Sequence, residues 1–377
     1  MEMNQIAPLV NNFTSESIGE SAILNEDLSN VVDVGESIFN ANQFDHYVKS
    51  LVNQVGRMIF VNRAYRGSAP SVLMDSWEFG SVLEKISSEM PIATENETWE
   101  LVDGASYDPN VFYQPRAEAK FFNKRITFEI DRSITERQVK ESFQTPTQLN
   151  SFISMLYNEV EKSLTVKMDA LIMRTINNMI GETIHDANPV RAVNLLTMYN
   201  TRYGESLTAA NAITTPEFIR FAAFQMGLYV DRMAKMSTLF NIGGKARFTP
   251  RDLLHIVTLS EFSAAAEVFL QSDVYHDEYT RLVNSERVAY WQGSGTSYSF
   301  TDTAKINIKL ASDNSTTVEQ GGILAIMFDR DALGVTHYES RVTTNYNPKA
   351  EFTNYFYKKE AGYFNDTNEN FVVFYVQ

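Results

Sequence analysis

Apolar residues recur with helical spacing across the 34 residues between Pro146 and Gly181, a stretch that contains neither proline nor glycine. Leu149, Phe152, Ile153, Leu156, Val160, Leu164, Met168, Leu171, Ile172 and Met179 fall near one stripe that drifts slowly round the cylinder, which predicts an amphipathic helix over 146–180. Its start is marked by Thr145 as N-cap, Pro146 at the first helical position and Gln148 in a capping box, and Gly181 is expected as its C′ stop. Such a helix reaches roughly 50 Å, far beyond the average globular helix, and reads as a strut.

The pattern elsewhere predicts an α+β chain. A shorter amphipathic helix is expected from about Gln43 to Phe60, where Phe44, Tyr47, Val48, Leu51, Val52, Val55 and Met58 share a face. Residues 71–118 have no helical period; they hold ten acids against two bases, with turn signals at Pro91, Asp103-Gly104, Asp108-Pro109 and Pro115. Strands expected at 81–86 and 98–102 make this region a protruding β-ribbon. Ile126 to Asp131 alternates cleanly and reads as a half-buried strand. Thr215-Pro216 opens a helix expected to run to Phe240; Leu254 to Leu259 reads as a buried strand, and Ser260 as the cap of a helix reaching Gln271. Ile306 to Leu310 alternates, and Ile323 to Phe328 is the continuous apolar run of a central strand, followed by an expected one-turn helix from Asp329 to Leu333 stopped by Gly334. Lys349–Tyr363 and Asn370–Val376 read as two aromatic strands joined as a hairpin through Asn365-Asp366-Thr367-Asn368.

Composition narrows the function. The chain of 377 residues is 44% apolar, enough for a substantial core, and contains no cysteine, so thiolate metal sites, disulfides and a cysteine nucleophile are excluded. The absence of cysteine fits a protein assembled in a reducing cytoplasm. Residues 1–43 lack the basic start and apolar run of a signal peptide, and no stretch approaches a membrane span. A net charge of −15 argues against a protein that grips nucleic acid through its phosphates. More than half of that excess lies in residues 1–48, with eight acids and no Lys or Arg: either a solvated tail, or an extended arm that orders on a neighbouring subunit through Ile6, Leu9, Val10, Phe13, Ile23 and Leu24.

Candidate chemistry is sparse. The histidines at 46, 185, 255, 276 and 337 form no metal-spaced pair. Asp329-x-Asp331 has the form of a metal-binding pair in a sugar transferase, but a helix cap explains the same residues. Gly243-Gly244-Lys245 lacks the phosphate-loop frame, with Ala246 where a hydroxyl is required, and Gly293-Ser294-Gly295 lacks the nucleophile-elbow frame. No catalytic, cofactor-binding or metal-binding residue is assigned, and a non-enzymatic role is expected. Lys120-Phe121-Phe122-Asn123-Lys124-Arg125 interleaves basic and aromatic residues. Such interleaving is the usual sign of single-strand binding; it reads otherwise as a strand with one solvated and one packed face, or as a patch that meets an acidic surface such as the ribbon's.

The order of elements resembles the major capsid proteins of tailed double-stranded DNA phages, the HK97-like fold named for phage Hong Kong 97. Three stretches are also similar to those of small short-tailed phages of Gram-positive hosts: Tyr65-Arg66-Gly67-Ser68-Ala69-Pro70, Ile323 to Asp331, and Asn345-Tyr346-Asn347-Pro348 through Val376. The resemblance implies an N-terminal arm (1–42), a linking helix (43–62), an extended loop (63–119), a peripheral domain (120–187) with spine helix 146–180, an inserted axial domain (188–335), and a peripheral return hairpin (336–377). It implies hexamers and pentamers of this chain in an icosahedral or prolate shell around packaged DNA, assembled in the host bacterial cytoplasm with a scaffold protein, a portal and decoration proteins, and without a membrane. The founding phage crosslinks its shell through a loop lysine and a partner asparagine; here the loop offers only Lys85 and no matching context, so a noncovalent shell is expected. An encapsulin-like compartment shares the fold and is the alternative; an enzyme using Asp329 and Asp331 is the third reading.

Overall fold

The computed structural model describes residues 33, 70–74, 83–88, 91, 93, 95, 100–114, 117–142, 144, 146–271, 285–292 and 299–377. The expected arm apart from Asp33, the helix 43–60, Thr145, His46, His276 and Gly293-Ser294-Gly295 lie outside the described residues. The strands are β1 (Leu73–Met74), β2 (Leu83–Ser88), β3 (Ala117–Phe122), β4 (Arg125–Thr135), β5 (Ala192–Asn194), β6 (Leu254–Leu259), β7 (Ser285–Val288), β8 (Ile306–Lys309), β9 (Thr317–Gln320), β10 (Ile323–Asp329), β11 (Leu333–Asn347), β12 (Phe352–Asn365) and β13 (Phe371–Tyr375). The helices are α1 (Glu136–Ser142), α2 (Pro146–Asp186), α3 (Leu195–Tyr203), α4 (Ala209–Ala212), α5 (Pro216–Met233), α6 (Ser260–Gln271) and α7 (Phe300–Thr303).

Two compact units are formed. One takes Arg125–Thr175 and Val335–Gly362 with the residues up to Glu78; the other takes Phe79–Lys124, Ile176–Gly334 and Tyr363–Gln377. The first holds a four-stranded sheet of order β1-β11-β12-β4, in which β12 and β4 are antiparallel over eleven register pairs from Phe352↔Thr135 to Gly362↔Arg125. The second holds a five-stranded sheet of order β5-β13-β10-β6-β7. There β10 runs antiparallel to both β6 and β13 and is buried at every position, as its unbroken apolar run requires.

The long helix begins at Pro146 as expected but runs 41 residues, to Asp186. Gly181 does not stop it. A Cβ on Gly181 would lie 2.7 Å from Cδ1 of Ile308, so the glycine is there to let β8 approach the helix. The turn out of the helix falls instead at Ala187, with φ +53°. Its burial explains the drifting stripe. Val160, Leu164, Met168 and Leu171 mark one buried line, whereas from Leu171 to Gly181 every residue except Arg174 and Asn178 is buried. Asn177 Nδ2 donates to the Trp291 carbonyl at 2.7 Å, and the fully buried Trp291 indole donates to Ile323 O at 2.9 Å, which ties the end of α2 to the five-stranded sheet.

Four further expectations are corrected. The helix from Thr215-Pro216 ends at Met233, because the chain then turns so that Ser237 bridges Arg247. Ser260 is the first residue of α6, and its hydroxyl donates to Val288 O across to β7 instead of capping. No helix follows Asp329: its carboxylate accepts the Asp331 N–H at 2.9 Å in a tight turn, and Gly334 lies within β11. The two aromatic strands are not a hairpin. β12 lies between β11 and β4, while β13 lies between β5 and β10 in the other sheet.

Candidate functional site

The acidic segment does form a ribbon. β2 and β3 pair antiparallel from Leu83↔Phe122 to Ser88↔Ala117, so the returning strand is 117–122 and not 98–102, where Glu100 to Val102 is irregular. Between the strands, residues 100–114 turn on their own polar groups. Ala105 N–H donates to Val102 O at 3.1 Å around Gly104 (φ +82°), the Asp103-Gly104 turn that the sequence signals. Asn110 N–H donates to Asp108 Oδ1 at 2.8 Å, and Val102 N–H to the Tyr107 hydroxyl at 3.1 Å.

All of residues 100–114 are exposed, including Leu101, Val102, Tyr107 and Val111. Phe112 and Tyr113 leave 83% and 84% of their surface in water. The stretch has three acids, Glu100, Asp103 and Asp108, and no base. Large apolar side chains this open are characteristic of surfaces that contact another molecule.

The ribbon's root is ionic. Lys85 Nζ lies 3.4 Å from Asp366 Oδ2 and 4.0 Å from Glu369, and donates to the Asp331 carbonyl. Lys120 Nζ lies 2.8 Å from Asp366 Oδ1 and over the Phe122 ring, whose centroid is 5.2 Å from that of Phe364. Lys245 pairs with Glu118 at 2.8 Å, and Arg247 with Glu369 at 3.3 Å. Burial raises the Glu369 pKa, and the charges of Lys85 and Arg247 act against that rise. Behind these ions lies a buried polar network. Thr249 donates to Asp329 Oδ2 at 2.8 Å and accepts from Asn370 Nδ2 at 3.1 Å, and Asn241 bonds both the N–H and the carbonyl of Lys245.

Three stretches singled out as possible chemistry thus meet at one structural junction. Gly243-Gly244-Lys245 packs on the 366–370 segment: Gly243 N–H donates to Thr367 O at 2.8 Å, and a Cβ there would lie 2.0 Å from the Asn368 side chain. Asp329 is buried and bonded, while Asp331 is exposed, so the two carboxylates are in different surroundings. The basic-aromatic stretch contributes Lys120 to the root. Among the described residues no three His, Asp or Glu side chains are grouped as metal ligands. His185 is exposed at the end of α2, and His255 lies against Phe328 with its pKa lowered by burial and by Arg330. Sequence reasoning missed Asp366, Glu369 and Arg247 as partners of the ribbon. The turn-rich 365–368 segment was visible, but its separation from Lys120 by 246 positions hid the contact.

Among the described residues no helix is long and apolar enough to cross a membrane. No curated protein sequence matches the chain. Two solved phage structures share its fold. A chain of the Staphylococcus phage Andhra capsid structure is 11% identical with a TM-score of 0.51, covering 84% of this chain and 86% of that one. A chain of the native bacteriophage P68 structure, described for its head fiber and inner core protein gp22, is 10% identical with a TM-score of 0.53 over 84% and 86%. The architecture is the HK97-like capsid fold, and the encapsulin reading is not favoured. The model of the Phi29-like phage major capsid protein family matches residues 8–375, nearly the whole length, so the chain belongs to that family and is a shell-forming capsid protein.

Proposed function

We propose that copies of this chain form hexamers and pentamers that close into an icosahedral or prolate shell around packaged double-stranded DNA, with the ribbon of one subunit lying over an adjacent one. The observation that carries this reading is the ribbon's tip, where Phe112 and Tyr113 are more than four-fifths exposed on an acidic loop. A monomer gains nothing from such a surface, and a neighbouring copy buries it. The helix α2 with the four-stranded sheet serves as the peripheral framework, and 188–335 as the axial domain at the capsomer centre. The net charge of −15 supports a container that encloses DNA without gripping it. Membership of a phage major capsid protein family supports assembly in the host bacterial cytoplasm, with a scaffold, a portal and decoration proteins as partners. Lys85 is engaged with Asp366 and Glu369, which supports a noncovalent shell, and the capsid family supports a structural role without catalysis. Deleting Glu100–Gln114 is expected to leave folded subunits by circular dichroism and to abolish closed particles by negative-stain microscopy. Normal particles from that deletion, or covalent oligomers of mature shells on denaturing gels, would overturn the respective claim.

A further inference from the structure

Lys85 and Lys120 are direct register partners across the two strands of the ribbon. Like charges placed opposite each other on an antiparallel pair repel. Here one carboxylate reaches both. Asp366 presents Oδ2 to Lys85 at 3.4 Å and Oδ1 to Lys120 at 2.8 Å, with its own side chain only 3% exposed. The other anions have their own cations: Glu118 faces Lys245, and Glu369 faces Arg247 more closely than it faces Lys85. Asp366 is itself held from two sides, since its N–H donates to Ala332 O at 2.7 Å and its Oδ1 accepts the Asn368 N–H at 3.1 Å.

We propose that Asp366 is the positioning residue of the ribbon: one buried carboxylate turns a repulsive lysine pair into a clamp and fixes the pose from which the tip is presented. The proposal rests on the reading that the ribbon is an assembly element. It has a consequence that a merely structural aspartate lacks, because salt must act with opposite sign in the presence and absence of the carboxylate. In the native chain salt screens the attraction and loosens the ribbon, whereas without Asp366 it screens the residual lysine repulsion and tightens it.

The test is hydrogen exchange of the backbone amides of 83–88 and 117–122 in the unassembled full-length subunit at low and high salt, alongside thermal melting and particle formation. Asp366→Asn keeps an oxygen for the Asn368 N–H and removes only the charge. Its ribbon amides are expected to exchange roughly ten- to hundredfold faster at low salt, the range for losing a charge-assisted hydrogen bond, with recovery as salt rises. Adding Lys120→Gln to that variant removes the repulsion and is expected to restore slow exchange at low salt. Unchanged exchange in Asp366→Asn, or a salt response of the same sign as the native chain's, overturns the proposal. Lys120→Gln alone alters a half-exposed side chain and preserves the fold; an undiminished salt response there also overturns it. If Asp366→Asn frees the ribbon but closed shells still form, the clamp stands and the ribbon's role in assembly falls.

Discussion

β10 in the five-stranded sheet is buried at all seven of its positions, whereas β4 in the four-stranded sheet alternates exposed and half-buried along its eleven residues, with only Ile134 fully covered. The difference follows from what each face meets. Both faces of the first sheet are covered by this chain, so its central strands read as continuous apolar runs. One face of the second carries paired polar groups instead. Lys358 faces Glu129 at 3.2 Å, Arg125 reaches Glu360 at 3.4 Å, and the Arg125 guanidinium lies 4.3 Å from the centre of the Tyr338 ring. That ring fits because Gly362 has no side chain, since a Cβ there would lie 2.3 Å from Tyr338 Cε2. The five-stranded sheet is thus completed within one chain, and the four-stranded sheet keeps a solvated face of matched charges.

Equal truncations in the two sheets should therefore have unequal effects. Phe328 is fully buried in β10, with the Phe371 ring 6.0 Å away on one neighbouring strand and His255 5.8 Å away on the other. Phe328→Ala is expected to destabilise the isolated subunit by about 3–5 kcal/mol. Phe356 is half-buried on the polar face of β12, and Phe356→Ala is expected to cost about 1 kcal/mol or less. Urea unfolding followed by circular dichroism measures both, and equal losses would break the contrast.

A smaller effect probes the helix that serves both units. Gly181→Leu forces a branched side chain against Ile308, whose Cδ1 and Cγ1 lie 2.7 and 3.1 Å from the position of a Cβ, and is expected to cost about 1–3 kcal/mol. Gly181→Ala needs only a shift of the flexible Ile308 tip and gains about 1 kcal/mol of helix propensity, so it should be close to neutral. Ile308→Ala should recover much of the Gly181→Leu loss in a double-mutant cycle. Failure to recover it would mean that the glycine is not there for β8.

The same contrast sets how much was legible beforehand. β6 falls on Leu254–Leu259 as the apolar run predicts, β10 on Ile323–Asp329, and the alternation at 126–131 marks β4. In each, a covered or half-covered face writes its own period into the sequence. Gly181 misled because a glycine placed for close approach and one placed for a helix stop look alike until the neighbouring strand is known. The turn after Asp329 misled because a carboxylate that accepts an N–H two residues on serves a tight turn as well as a helix start. The pairing of β12 and β13 with different sheets, and the capture of Lys85 and Lys120 by Asp366, depend on contacts across most of the chain, which no local period records. Lys120, Asp329 and Gly243 to Lys245 were visible as unusual residues; that they meet at one junction was not.

The smallest effect concerns Asp329, the residue that most resembled chemistry. Burial raises its pKa, against the Asp331 N–H, the Thr249 hydroxyl and the Lys85 charge, which favour the ionised form. The folded chain therefore holds the proton to higher pH than the unfolded chain does. Between the two pKa values the folded state binds more protons, so stability falls as pH rises from the ordinary aspartate range through the raised folded value, and is flat above it. Asp329→Asn keeps an acceptor for the Asp331 N–H and cannot ionise. At pH 7 it removes the burial penalty and loses the charge-assisted bond from Thr249, two changes of opposite sign that leave stability within about 1 kcal/mol of the native chain. The variant should gain on the native chain as pH rises through that window, when both are unfolded in urea at a series of pH values. A difference that stays constant with pH would mean that burial does not shift the carboxylate, and one that moves the other way would mean that it is stabilised as an ion and that the junction was built around its charge.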